Sequence, residues 1–151
     1  MAVSAEQVKA LRDATGVSMI ECKKALESSN GDTDKALEIL RARSGEIAAK
    51  KADRALGAGV VSSYIHSTGQ VGAMLVLSCE TDFVSKNEEF AALARDIAMH
   101  AAAMRPASVA ELLEQPFIKD STQTIAGLVS GATQKFGERV EIGSLSVASV
   151  A

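Results

Sequence analysis

The run Val71-Gly-Ala-Met-Leu-Val-Leu77 constrains this chain more than any other stretch, because none of its side chains is polar. It is too short to cross a membrane and has the length of an ordinary strand. A strand that is apolar on both faces belongs at the centre of a small sheet, with helix over at least one face. GVVSSYI (residues 59–65) supplies one neighbour. It is separated from the run by His66-Ser-Thr-Gly-Gln70, so the two strands read as a β-hairpin with a five-residue loop. A third strand lies in ERVEIGSLSVASV (138–150), where Val140 and Ile142 alternate before the phase shifts at Gly143-Ser144 to Leu145 and Val147. That shift predicts a bulge or bend.

Two helical patterns fall between the second and third strands. Ser85 and Glu88 read as the start of a helix over 86–104, with Phe90, Leu93, Ile97, Ala101 and Met104 on one stripe and Pro106 marking its end. Asp120 and Gln123 read as the opening of another, with Ile125, Leu128, Val129, Ala132 and Phe136 inward and Gly137 closing it. Residues 57–151 therefore form a β-β-α-α-β unit.

Upstream the period is helical. Ser4 and Gln7 make a capping box, flanked by a Val3–Val8 staple, and Val8, Leu11 and Ala14 form an apolar stripe up to Gly16. Ser18 and Glu21 make a second box ahead of a helix that Asn30-Gly31 ends. Asp32 caps a third helix with Ala36, Leu37 and Leu40 inward. Residues 1–45 thus read as a small three-helix binding module, and the charged, alanine-rich stretch 46–56 as a helical connector. The fold class is α+β.

The search for chemistry is mostly negative. No phosphate-binding loop is present, and Gly57-Ala58-Gly59 lacks the third glycine of a dinucleotide fingerprint. His66 and His100 have no metal-ligand spacing around them, and Cys22 and Cys79 form no CxxC pair, so the expectation is no metal and no cofactor. No nucleophile, base and orienting group assemble, and the chain reads as a non-enzyme. A net charge of -3, with no aromatics interleaved among the connector's basic residues, gives no reason to expect direct nucleic-acid contact. The N-terminus has neither the basic start nor the apolar middle of a signal peptide, and no long apolar segment suggests a membrane. The expected location is cytoplasmic.

What remains are apolar residues where water is expected. Met19 and Ile20 are adjacent at the first turn of a helix, and neighbours there point about 100° apart, so both cannot face one narrow core stripe. Either both cover a small core, or one is exposed for binding. Thr81-Asp82-Phe83-Val84 places one of only four phenylalanines in a connection. Phe83 either folds back under the following helix as a core plug or stands out as a contact.

At these residues the sequence resembles a known family. Leu11-Arg12-x-x-Thr15-Gly16-x-x-Met19-x-x-Cys22-Lys23-Lys24-Ala25-Leu26 and Thr81-Asp82-Phe83-Val84-x-Lys86-Asn87 are similar to the two signature stretches of the translation elongation factor Ts family. The charged connector ending in AAKKADR, Asp96 to Pro106, and the Phe136-Gly137-Glu138 turn are similar to it as well. The resemblance implies a guanine-nucleotide exchange factor that binds elongation factor Tu, in its GDP-bound and nucleotide-free states, and releases GDP. It implies that the three-helix module is ubiquitin-associated-like and docks on the partner through Met19, with Ile20 where the family often has a second methionine. It further implies that Thr81, Asp82, Phe83 and Val84 carry the exchange. Asp82 and Phe83 would push near the partner's magnesium and phosphate site, and Phe83 would enter an apolar pocket between helices. Longer members carry a second sheet subdomain and a helical hairpin, whereas one β-β-α-α-β unit is present here. Short members resemble homodimers, so a symmetric homodimer is expected.

Overall fold

The computed structural model describes residues 2–151. Its elements run α1 (Ala5–Thr15), α2 (Met19–Ser28), α3 (Thr33–Lys50), β1 (Ala58–Ile65), β2 (Val71–Cys79), α4 (Asp82–Ser85), α5 (Glu88–Met104), α6 (Val109–Glu114), β3 (Pro116–Phe117), β4 (Asp120–Thr124), α7 (Ile125–Phe136) and β5 (Glu141–Ser149). The architecture is α+β, with helices first and then a small antiparallel three-stranded sheet backed by helices.

The N-terminal helices start and stop where their side chains supply the caps. Ser4 and Gln7 close a reciprocal box: Ser4 Oγ accepts from the Gln7 amide at 3.1 Å, and Gln7 Oε1 accepts from the Ser4 amide at 3.0 Å. Gly16 ends α1 in the left-handed region at φ 70°. The second box is only half made. Ser18 Oγ accepts from the Glu21 amide, but the Glu21 carboxylate turns away to Arg43 at 2.8 Å on α3. Asp32 caps α3 through the Lys35 amide. Val8, Leu11, Val17, Cys22, Ala25, Leu26, Ala36 and Leu40 form one buried cluster, with Leu37 and Val3 partly buried against it. Ala14, expected in the stripe, is exposed; Val17, beyond the helix end, takes the inward place.

Residues 46–50 are helical and have no break from the module's third helix. They continue α3, an 18-residue helix, because Glu46, Ala48, Ala49 and Lys50 are strong helix formers and Gly45 alone does not break the pattern. The chain then turns through 51–54 into β1.

The sheet order is β1-β2-β5, so the apolar run is the central strand. Ile65 pairs with Gly72, leaving 66–70 as the hairpin loop. In β2–β5, Leu77 faces Ile142 while Val76 faces Ser144, so Gly143 is the extra residue of a bulge. The bulge keeps Ile142, Leu145 and Val147 all on the core side, where a regular strand would have turned the last two outward. Ala73, Leu75, Leu77 and Cys79 on β2 belong to the same buried core as Phe90, Ala94, Ile97, Ala98 and Ala101 on α5. The α5 stripe is therefore wider than expected at its centre, while Leu93 is half-buried and Met104 exposed.

Two helix starts differ from the expected ones. Ser85 belongs to α4, and α5 is capped by Asn87, whose side chain accepts from the Glu89 amide at 2.8 Å. Asp120 and Gln123 lie in β4, paired with β3. The Asp120 carboxylate is engaged by Thr122 and Gln123 and caps nothing; Thr124 caps α7 through the Gly127 amide at 3.1 Å. Gly137 ends α7 at φ 73°. The stretch 105–119 also contains α6 and β3, so the unit carries three additions to the bare β-β-α-α-β order: α4, α6 and the β3–β4 pair.

Candidate functional site: an exposed phenylalanine on a clamped turn

The sheet's central strand ends at Cys79, and two residues later the chain forms the single helical turn α4. Its alternation decides which side chains are available. Val84 is 4% exposed and belongs to the core, Ser85 is buried beside it, and Phe83 is 90% exposed. The core-plug alternative for Phe83 is thereby excluded: Val84 is the plug. Asp82 is exposed as well, and its carboxylate has no hydrogen-bond or ion-pair partner among the described residues.

The turn is held on both sides. Downstream, the Lys86 amide donates to the Asp82 carbonyl, the Asn87 amide to the Val84 carbonyl, and Asn87 opens α5. Upstream, the buried Cys79 thiol donates to the Thr81 carbonyl at 3.3 Å, and burial pushes that thiol's pKa up, so it stays protonated. Glu138, just past the end of α7, accepts from the Glu80 amide at 3.1 Å, the Thr81 amide at 3.0 Å and the Thr81 hydroxyl at 2.6 Å. Beyond the likeness of Phe136-Gly137-Glu138 to the family, the sequence carries no signal for the Glu138 contact, because its partners are 57 and 58 residues away.

Met19 and Ile20 form the first turn of α2 on the N-terminal module, and neither is core. Met19 is 42% exposed and Ile20 68%. The apolar side of α2 is supplied instead by Cys22, Ala25 and Leu26. The residues that the sequence nominates thus fall into two groups, one on the module and one at the end of β2.

The two histidines and two cysteines have structural surroundings. His100 is buried, with Nδ1 accepting from the Ile118 amide at 3.1 Å and Nε2 at 2.9 Å from Gln115 Oε1. His66 sits in the hairpin loop beside Tyr64. Cys22 is buried in the module, its pKa also raised by burial. Among the described residues, no three His, Cys, Asp or Glu side chains are grouped to hold a metal ion, and no helix is long and apolar enough to cross a membrane.

The family model for "Elongation factor TS" matches residues 4–111 and 80–150, two stretches that overlap across the clamped turn and α5. Elongation factor Ts of Desulforamulus reducens is 38% identical over 185 aligned positions, covering 93% of this chain and 85% of that protein. Elongation factor Ts of Leptospira biflexa is 37% identical over 191 positions, covering 97% and 96%. That of Thermosipho melanesiensis is 55% identical over 104 positions, covering 69% and 53%. The two longer alignments exceed the 151 residues of the chain, so those relatives carry segments with no counterpart here. With both matched stretches spanning the module, the sheet and the Phe83 turn, the chain belongs to the elongation factor Ts family.

Proposed function

We propose that this translation elongation factor is a guanine-nucleotide exchange factor for elongation factor Tu, acting in the cytoplasm by promoting GDP release so that GTP can bind. The observation that carries the reading is Phe83, 90% exposed on a turn fixed by strand, helix and carboxylate. A single exposed apolar side chain is ordinary, but an aromatic held out by a turn fixed on both sides has the build of an anchor for a partner's apolar pocket. Asp82, unpaired beside it, brings a negative charge to the partner's magnesium and phosphate site, while Thr81 and Val84 anchor the turn that presents both. The magnesium is the partner's, and this chain takes no cofactor and catalyses no bond change.

Exchange of this kind is differential binding. The factor must hold the nucleotide-free partner more tightly than the GDP-bound one, and GDP weakens the factor's grip by the same amount that the factor weakens GDP's. Weakening by ~10⁴ takes about 5.5 kcal/mol of differential affinity. Burial of one phenylalanine supplies ~1.5–3 kcal/mol. Displacing the partner's magnesium and phosphate-cradling backbone has to supply the remainder, which is the part given to Asp82.

The three-helix module, residues 1–45, is the docking part, with Met19 and Ile20 as its contacts, and residues 57–151 carry the wedge. Stretch 46–56, partly the overhang of α3, joins them. The factor acts as a symmetric homodimer. In support, the outward face of the sheet shows Val61, Ile65 and Met74 to solvent, and among the described residues one edge of β5 has no strand beside it. No direct nucleic-acid or membrane contact belongs to the reading. Its test is the release of a fluorescent GDP from elongation factor Tu: addition of the chain accelerates the release, and an unchanged rate at saturating protein overturns the proposal.

A further inference from the structure

We infer that Glu138 is the positioning residue of the Asp82–Phe83 turn, an inference that rests on the exchange reading above. Gly137 reverses the chain at the end of α7 and so brings Glu138 against the end of β2. Its carboxylate is then fully used. Oε1 accepts the Glu80 and Thr81 amides, and Oε2 accepts the Thr81 hydroxyl. An acidic group with both oxygens occupied by this turn acts through the turn.

The clamp is reciprocal. Glu80, at the same strand end, accepts from the Arg139 amide at 2.6 Å, so each segment grips the other's backbone with a carboxylate. Charged acceptors make such bonds about twice as strong as neutral ones. The corner also carries the end of the connector: Lys51 Nζ donates to the Gly137 carbonyl at 2.7 Å, Arg139 Nη1 to the Arg54 carbonyl at 2.7 Å, and Arg54 lies 3.6 Å from Glu80. Residues 137–139 thereby fix the wedge and the root of the docking module to one point.

Its role is separable from that of the core. Thr81 is exposed, and it leaves α4 without a side-chain cap because its hydroxyl is committed to Glu138. Burial of the turn depends on Val84 and Ser85 below. Loss of Glu138 therefore frees the side that carries Asp82 and Phe83, while the buried anchor stays.

The test is a titration of elongation factor Tu loaded with fluorescent GDP, using the full chain and three variants. Glu138→Ala, which removes all three bonds, lowers the maximal release rate about tenfold, and Thr81→Val, which loses one of them, roughly threefold. Both leave the half-saturating concentration within about twofold, because docking is elsewhere. On a Phe83→Ala background Glu138→Ala adds little, since the two act as a unit. A normal maximal rate in Glu138→Ala, with Phe83→Ala slow, overturns the positioning role and leaves the exchange reading intact. If Phe83→Ala also releases GDP at the normal rate, the exchange reading itself fails. A raised half-saturating concentration with a normal maximal rate makes Glu138 a docking contact and overturns the inference. A marked fall in the melting temperature of Glu138→Ala, with Thr81→Val unaffected in rate, overturns it in favour of a purely structural role.

Discussion

Phe83 and Val84 are adjacent, both apolar, and opposite in fate, because one helical step of about 100° separates the core from the solvent. Their truncations therefore separate function from stability. Phe83→Ala slows GDP release and changes unfolding free energy by less than about 0.5 kcal/mol, as for other exposed substitutions. Val84→Ala costs ~1–3 kcal/mol because it empties a filled core position. Denaturant melts beside release assays check both, and a loss of ~3–5 kcal/mol in Phe83→Ala, the size for a core phenylalanine, contradicts the exposed placement. A scarce aromatic in a connection was legible as an anomaly from composition and pattern. Which way it pointed was not, since a four-residue turn has no periodicity to read.

Elements with their own caps were legible from the chain alone. Ser4-Gln7, Gly16, Asp32 and Gly137 each satisfy the helix end they mark, and the hairpin loop 66–70 follows from two strands of clear period. Those decided by tertiary contact were not. Glu21 left its capping box for Arg43, Asp120 spent its carboxylate on Thr122 and Gln123, and β3–β4 is too short to show alternation. The clamp at Glu138 was illegible for the same reason, as its bonds depend on where α7 ends in space. At this scale α2 offers a clean test, because its first turn is exposed and its buried side begins at Cys22. Changing Met19 and Ile20 together to Ser raises the concentration of the chain needed for half-maximal exchange by about tenfold or more, each exposed apolar contact carrying on the order of 1 kcal/mol. The maximal rate stays near normal, and a titration curve that superimposes on that of the unmodified chain removes these residues from the interface.

For the molecule as a whole, two features matter, its assembly and the relation between module and sheet. Light scattering across a tenfold dilution should return a mass near twice the 15.7 kDa of the chain; a monomer mass at the highest concentration sinks the dimer. Charge placed on the outward sheet face, as in Met74→Glu, should shift the equilibrium toward monomer without unfolding the chain. The relation between the two parts is carried by α3. It begins inside the module's core with Ala36 and Leu40, then packs along α7; Arg41 donates to the Thr122 carbonyl of β4 at 3.0 Å, and Ser44 bonds Gln134 of α7. A helix used this way is a ruler and a protractor at once. One alanine inserted after Arg43 would advance everything beyond it by about 1.5 Å and turn it by about 100°, pulling Ser44 off its partner. The same insertion in the 66–70 loop changes neither length nor angle. Exchange should therefore survive the loop insertion and fail with the helical one even where both chains fold; on the proposed function, the residue count of α3, and not its chemistry, is the heritable setting that would aim Met19 and Phe83 at one target.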